Sequence, residues 1–179
     1  MYIWTGCLLP AEFQQELRSV CLAHNRDVGL DTTAFDMPQH ISLKISLPIA
    51  DEKAEAVFSF LESFLSREEP FYVNLLSPEV FRNILWLPVE ENPTLRRLHD
   101  TLDKELLERF SVSPHSLDQC FFFHSTLFMD PDTDKLTRME KLLSDLHLGK
   151  SLPVERFLLG YSPDGQPGTY AIRKEIKLL

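Results

Sequence analysis

The sequence has 179 residues, of which 44% are hydrophobic and 25% are charged, and its formal net charge is −9. This length and composition are typical of one globular domain. The negative charge argues against a surface for long nucleic acid duplexes, because such a surface needs a basic stripe to neutralise phosphates. No segment approaches the roughly 20 apolar residues that cross a bilayer, so we expect no membrane association.

The N-terminal region and the cysteines indicate a reducing compartment. Residues 2–9 are apolar and are predicted as a strand rather than a signal peptide, because no basic segment precedes them. Cys7, Cys21 and Cys120 are widely spaced and form no CxxC pair, which disfavours a zinc site or a disulfide framework. We therefore expect a cytoplasmic protein.

Hydrophobic periodicity predicts the elements in chain order. The predicted elements of the first half are a strand at 2–9, a helix at 11–24, a strand at 40–47, a helix from its N-cap Asp51 and a strand at 71–77. Those of the second half are a strand at 80–89, a helix from its N-cap Asn92, a strand at 121–129, a helix from its cap Thr133, and strands at 152–161 and 169–178.

The two halves therefore repeat one order of elements: strand, helix, strand, helix, strand. His40 and His124 lie at the same point of this repeat, 84 residues apart. The helix caps Asp51 and Thr133 keep nearly the same offset. Equivalent strands of such halves can face each other across a pseudo-twofold axis. We predict an α+β fold in one domain of two related halves, about 1–78 and 79–179.

The strand at 40–47 contains the first motif with chemical potential, which reads His-Ile-Ser-Leu at 40–43. Side chains alternate between the two faces of a strand, so His40, Ser42, Lys44 and Ser46 share one face. Two residues of rise separate His40 from Ser42 by about 7 Å. A phosphate oxygen fits between a histidine and a hydroxyl at that spacing.

The second motif reads His-Ser-Thr-Leu at 124–127. By the same alternation, His124 and Thr126 share a face, whereas Ser125 points away and is not a catalytic candidate. Both motifs have the form histidine, any residue, hydroxyl residue, apolar residue. A single histidine in a strand is more often structural, but the repetition of the whole pattern favours function.

Two opposed histidines suit the hydrolysis of a phosphodiester. One can act as the base that activates water and the other as the acid that protonates the leaving oxygen, since histidine titrates near neutrality. The hydroxyls of Ser42 and Thr126 can hydrogen-bond the non-bridging oxygens, where charge builds up. This chemistry requires no metal.

The two motifs resemble those of the 2H phosphoesterase superfamily, which includes the 2′-5′ RNA ligase-like proteins and the cyclic phosphodiesterases. The resemblance covers nearly the whole chain. It implies two pseudo-symmetric lobes, each an antiparallel sheet with helices on its outer face, and an active cleft between them. It also implies hydrolysis of 2′,3′-cyclic phosphates or 2′-5′ phosphodiesters, with His40 and His124 as the catalytic pair and Ser42 and Thr126 as phosphate-binding residues.

The chain departs from the family where many members carry a basic residue, because Phe128 and Met129 stand there. Lys44 could supply the missing charge, or it could be a solvated lysine. Phe122 and Phe128 could stack on a base, although core packing is the preferred interpretation of both. Tyr170 could line the cleft or serve as scaffold.

A second departure is Ser125, which stands where members usually have an apolar residue. The predicted function is that of a monomeric hydrolase that acts on a small nucleotide or an RNA terminus and needs neither cofactor nor metal. The main alternative is a non-catalytic nucleotide-binding protein that uses the same cleft. A third interpretation is an interaction protein with two structural histidines. The sequence assigns no role to the remaining histidines, which are His24, His99, His115 and His147.

Overall fold

The computed structural model describes residues 1–166 and 168–179, with the side chains of Ile45, Leu117 and Gln119 outside the description. The helices are α1 (Ala11–Asn25), α2 (Asp51–Leu65), α3 (Pro93–Phe110) and α4 (Thr133–Ser144). The strands are β1 (Tyr2–Leu8), β2 (His40–Pro48), β3 (Phe71–Asn74), β4 (Glu79–Phe81), β5 (Ile84–Pro88), β6 (His124–Met129), β7 (Ser151–Val154), β8 (Arg156–Ser162) and β9 (Ala171–Lys177). Two short 3-10 helices span Thr33–Phe35 and Ser116–Cys120.

The strands form antiparallel sheets, and the predicted α+β class is confirmed. One sheet has the order β2-β1-β8-β9 and another the order β4-β5-β6, while β3 pairs with β7. The sheets do not follow the sequence halves, because β8 and β9 return to the sheet of β1 and β2. Strand β2 contacts β6, so the two motif strands meet at the junction between the sheets.

The helices cover these sheets with apolar stripes. In α3, Leu95, Leu98, Leu102 and Leu106 recur at helical spacing and are buried, and burying one such side chain contributes about 1.5–3 kcal/mol. Helix α3 contacts β2, α2 contacts β8, and α4 contacts β4 and β5. No helix of the described chain is long and apolar enough to cross a membrane.

The predicted N-cap of one helix is confirmed, and two others are wrong by one residue. The Asn92 side chain accepts hydrogen bonds from the amides of Thr94 and Leu95. Helix α4 is capped by Asp132, whose carboxylate accepts from two amides of its first turn. Helix α2 is preceded by Ala50, which provides no side-chain cap. The Asp51 carboxylate instead accepts a hydrogen bond from the N-terminal ammonium at 3.1 Å.

Two predicted strands are each broken in the structure. The segment 80–89 is a hairpin, in which β4 and β5 pair around the two-residue turn Arg82-Asn83. Arg82 has a φ of 56°, a left-handed conformation in which glycine is usual. Arg82 and Asn83 are polar, but neither is glycine or proline, so the sequence predicts one strand across the turn. The segment 152–161 is divided at Glu155, where the chain passes from the β3–β7 pair to the sheet of β1.

Candidate active site

The two motif histidines line one cavity at the junction of the sheets. The cavity measures about 570 Å³, and its wall includes His40, Ser42 and His124. This volume lies within the range of small-molecule sites in proteins. Residues that lie far apart in the sequence thus converge because β2 and β6 are adjacent.

Both imidazoles are held in the same way by the backbone. Nδ1 of His40 lies 2.8 Å from the carbonyl of Pro38, and Nδ1 of His124 lies 2.8 Å from the carbonyl of Phe122. A carbonyl only accepts hydrogen bonds, so each Nδ1 carries the proton. Each Nε2 is thereby left as the titrating atom, which can accept or donate a proton in catalysis.

A tryptophan packs against each histidine. The ring centroids of Trp4 and His40 are 4.7 Å apart, and those of Trp86 and His124 are 4.2 Å apart. Sequence reasoning missed both tryptophans. Their positions, 82 residues apart in strands β1 and β5, keep nearly the offset of the histidines, so the repeat itself contained the signal.

Two glycines lie next to Trp4 and His40. Gly160 lies opposite Trp4 in the β1–β8 pairing, and a Cβ at Gly160 would overlap the Trp4 indole. A Cβ at Gly6 would lie 2.8 Å from the carbonyl oxygen of Ile41 and 3.0 Å from Cδ2 of His40. The two glycines therefore allow the tryptophan and the histidine to approach the sheet closely.

Burial sets the protonation of both histidines. Desolvation lowers the pKa of His40 below its usual value, although the Pro38 carbonyl partly offsets the shift. Desolvation also lowers the pKa of His124, against the opposing effect of the Phe122 carbonyl, and the charge of His40 lowers it further. Repulsion between the two rings disfavours the doubly protonated pair.

The hydroxyl residues of the two motifs lie in two neighbouring cavities. Ser42 lines the main cavity, as does Ser46, whose buried Oγ has no hydrogen-bond partner among the described residues. Thr126 lines a second cavity of about 350 Å³. His40 and Tyr170 belong to both walls, so Thr126 lies across His40 from the main cavity.

Lys44 lines the main cavity, but its charge is already balanced. Its buried ammonium forms ion pairs with the carboxylates of Asp103 and Asp118. His99 completes this cluster, with Nε2 3.4 Å from Asp118 Oδ1. The ligand atoms of His99, Asp103 and Asp118 lie within 4.8 Å of one another, and the cation that they surround is the lysine ammonium. Sequence reasoning assigned no role to His99 and did not foresee this cluster.

Phe128 packs in the core, which confirms the preferred interpretation, and its alternative prediction as a ligand contact is wrong. Its side chain is fully buried, and its ring packs edge-on against Phe35 at 5.3 Å. The cause is a bulge in β6: Leu85 pairs with Phe128 and the next residue of β5, Trp86, pairs with Thr126, so Leu127 is left without a partner. Such a bulge interrupts the alternation of faces, so Phe128 turns into the core.

Phe122 and Tyr170 do line the main cavity. The Phe122 side chain is 65% exposed, so core packing, the preferred interpretation, is wrong for this residue. The Tyr170 ring lies edge-on to Trp4 at 6.5 Å, and its hydroxyl donates to the carbonyl of Gly165 at 3.2 Å. Tyr170 therefore presents its ring, rather than a free hydroxyl, to a ligand.

Ser125 joins the two sheets beside the histidines. Its buried Oγ donates to Oε1 of Gln39 at 3.0 Å, and Gln39 directly precedes His40. The sequence correctly places Ser125 away from the cavity. The hydrogen bond gives a physical reason for a hydroxyl residue at this position, because it fixes β6 against the start of β2.

The cavity wall favours an anionic ligand. The net charge of the protein is −9, yet none of the described residues that line the main cavity is an aspartate or a glutamate. Arg82, at the β4–β5 turn, adds a positive charge to the wall. Sequence reasoning missed Arg82 because the predicted strand 80–89 concealed the turn.

Comparison with known proteins gives a family and a fold. Residues 10–165 match the model of the 2′-5′ RNA ligase superfamily. The structure is similar to TT0787 of Thermus thermophilus, with a TM-score of 0.70 at 17% identity, covering 99% of this chain and 97% of that one. It is also similar to E. coli LigT complexed with 3′-AMP, with a TM-score of 0.68 at 19% identity and coverages of 99% and 97%.

A further solved structure, of a phosphoesterase, has a TM-score of 0.65 at 18% identity, covering 99% of this chain and 98% of its own. At these identities, the structural similarities show the fold alone. No curated protein sequence matches the chain significantly.

Proposed function

The chain belongs to the 2′-5′ RNA ligase superfamily, and on this basis we propose that it hydrolyses 2′,3′-cyclic phosphates or 2′-5′ phosphodiesters of small nucleotides or RNA ends. Membership confirms the predicted resemblance and supports an activity of the phosphoesterase type. The observation that carries the finer proposal is that His40 and His124 line one cavity, each with Nδ1 bonded to a carbonyl and Nε2 available.

In the proposed reaction, one histidine takes up a proton and the other gives one up. Nε2 of the neutral histidine removes a proton from water as the water oxygen bonds to phosphorus. The second imidazole, protonated at Nε2, gives its proton to the leaving ribose oxygen as the P–O bond breaks. The product of a cyclic substrate is a phosphomonoester with a free neighbouring hydroxyl. Proton exchange with solvent restores the starting state of the pair.

In this proposal the hydroxyl of Ser42 donates to a non-bridging phosphate oxygen, which is supported by the fact that Ser42 lines the cavity with both histidines. Thr126 would serve the same phosphate from the second cavity, across His40. Donors aimed at oxygens where charge develops stabilise the transition state. The rings of Phe122 and Tyr170 offer faces for a base. E. coli LigT, which shares the fold, has been crystallised with 3′-AMP, ATP and NADP+, which supports a small nucleotide as ligand.

A substrate panel tests the proposal. Purified protein would be assayed on 2′,3′-cyclic mononucleotides, 2′-5′ dinucleotides and RNA ending in a cyclic phosphate, each with and without a chelator. We expect turnover on at least one class, unchanged by the chelator because the proton transfers use the imidazoles alone. Activity that disappears with the chelator would contradict the metal-independent mechanism.

Histidine variants separate catalysis from binding. His40→Asn and His124→Asn remove the titrating ring, and each should lower kcat by about 10²- to 10⁴-fold. His147 is the matched control, because its Nδ1 bonds the carbonyl of Asp145 in the same local way at 2.9 Å. His147→Asn should leave kcat unchanged. Nucleotide binding without turnover of any substrate would instead favour the non-catalytic nucleotide-binding alternative.

A further inference from the structure

Among its described residues, the main cavity contains two permanently charged side chains, Lys44 and Arg82. Both are positive, but only one of them is paired with carboxylates. The Lys44 ammonium is neutralised by Asp103 and Asp118. Arg82 forms no ion pair or hydrogen bond with any described residue, and its guanidinium lies over the Phe81 ring at 5.2 Å from the centroid. Arg82 is therefore the cation of the described wall that is available to an anionic ligand.

We infer that Arg82 binds a second phosphate of the substrate, on the 5′ oxygen of the nucleotide whose 2′,3′ end lies at the histidines. This inference rests on the proposed function and narrows its substrate class. The second phosphate would be the 5′-phosphate of a mononucleotide or the last internucleotide phosphate of an RNA. Both have the same position relative to the reacting ester.

Arg82 is connected to His124 through two aromatic side chains. The rings of His124 and Trp86 are 4.2 Å apart, and Trp86 stacks on Phe81 at 4.8 Å with an interplanar angle of 3°. The Arg82 guanidinium contacts the Phe81 ring, so Trp86 and Phe81 link it to His124 through successive ring contacts. In the inferred complex, the sugar would span the part of the cavity between the two phosphates.

The turn supports this role for Arg82. Its φ of 56° is unfavourable for a residue with a Cβ, and such conformations cluster at binding and catalytic sites. The hairpin fixes the backbone, and the Phe81 ring supports the guanidinium by a cation–π contact. A guanidinium presents a planar fork of donors that matches phosphate oxygens, which makes arginine better suited than lysine to this contact.

Calorimetric titration with product-like ligands tests the inference. The ligands are adenosine 3′-phosphate, adenosine 3′,5′-bisphosphate and a diadenosine RNA with a 3′-phosphate. The wild type should bind the two ligands with a second phosphate about tenfold more tightly than the monophosphate. The bisphosphate carries its second phosphate as a 5′ monoester, and the diadenosine RNA carries it as an internucleotide diester. Comparing the two affinities shows which of these phosphates the site prefers.

Variants then assign the effect to one side chain. Arg82→Met keeps the aliphatic reach and should abolish the tenfold preference without weakening adenosine 3′-phosphate binding. Arg82→Lys should retain part of the preference, because it keeps the charge but loses the fork of donors. Arg26→Met is the matched control, since Arg26 is exposed and lines neither cavity; it should keep the full preference.

Three outcomes overturn the inference, and they separate it from the proposed function. If the wild type binds all three ligands equally, the second phosphate has no site, while the proposed function stands. If Arg82→Met weakens all three equally, Arg82 contacts the ester phosphate itself. If the wild type binds none of the ligands, both the inference and the proposed function fail.

Discussion

The two sides of the active site are built alike near the histidines and differently behind them. We define the His40 side as His40 with Trp4, and the His124 side as His124 with Trp86. On each side, a carbonyl two residues earlier holds Nδ1 and an indole packs against the imidazole. Behind Trp4 lie Gly160 and the sheet, whereas Trp86 is stacked by exposed Phe81. The shared features suit proton transfer, and the two sides differ in what packs behind each indole, although both indoles are buried.

The same contrast appears four residues after each histidine. Lys44 follows His40 and is buried against two carboxylates, whereas Phe128 follows His124 and is buried in the apolar core. Neither provides a free positive charge for the ligand. The comparison teaches that equivalent positions of the two motifs keep the same type of side chain only where both side chains are needed at the ligand.

The largest effect on stability is expected at Lys44. Lys44→Met leaves the buried Asp118 and the half-buried Asp103 without their cation, and removing one partner of a buried ion pair costs about 3–5 kcal/mol. Urea denaturation would measure the free energy of unfolding. Lys150→Met is the control, because its ion pair with Glu16 is exposed, and pairs of that kind contribute at most about 1 kcal/mol. Equal losses in the two variants would show that the Lys44 cluster is not a structural ion pair.

A smaller effect on stability is expected from variants that alter the surroundings of the two tryptophans. Gly160→Ala places a Cβ inside the Trp4 indole, and overpacking of this kind costs about 1–3 kcal/mol. The displaced indole should also shift His40 and lower kcat. Glu79→Leu removes only the 2.9 Å hydrogen bond to Trp86 Nε1 and should cost less. Thermal unfolding and steady-state assays would measure both variants, and a larger loss in Glu79→Leu would contradict the expectation that the packing behind Trp4 is the tighter of the two.

The contact that joins the two sides should have a modest effect. Ser125→Ala removes the buried hydrogen bond to Gln39, which should lower the free energy of unfolding by about 1 kcal/mol. Since Gln39 precedes His40, kcat should fall as well. Ser144→Ala, which removes an exposed local hydrogen bond, is the control. Unchanged kcat in Ser125→Ala would mean that the junction does not position the histidines.

The smallest expected effect is on the pKa values of the two histidines. Burial lowers the pKa of both histidines, so both should titrate below about 6.5, the unperturbed value. The proton-donating histidine must be protonated in the free enzyme, so the alkaline limb of kcat/KM should move to lower pH. NMR titration would also show the His124 pKa rising in His40→Asn, because a neighbouring charge is lost. Titration of both rings above 6.5 would contradict this account.

The sequence predicted those parts of the site that depend on strand alternation. His40, Ser42 and Lys44 alternate along β2 and all three line the cavity, although the pairing of β2 with β1 shifts register on both sides of Thr5. Alternation failed at Phe128, because β6 bulges at Leu127 where it pairs with β5, and the apolar residues on both sides of the bulge give no sign of it in the sequence. The ion pairs of Lys44 come from α3 and from the segment at 116–120, so they depend on tertiary packing.

The tryptophans and Arg82 were missed for different reasons. Trp4 and Trp86 read as core residues of apolar strands, although their offset matched the repeat. Arg82 was missed because its turn contains neither glycine nor proline, which are the strongest local signals of a turn. The predicted division at 78 and 79, the monomeric state and the cytoplasmic location stay predictions.

The central claim is that both imidazoles act on one phosphate, and a crystal structure with adenosine 3′-phosphate tests it most directly. We predict that Nε2 of His40 and Nε2 of His124 each lie within about 3.2 Å of an oxygen of the same phosphate. A phosphate that contacts only one of the two rings, or binds outside the cavity they share, would contradict the claim.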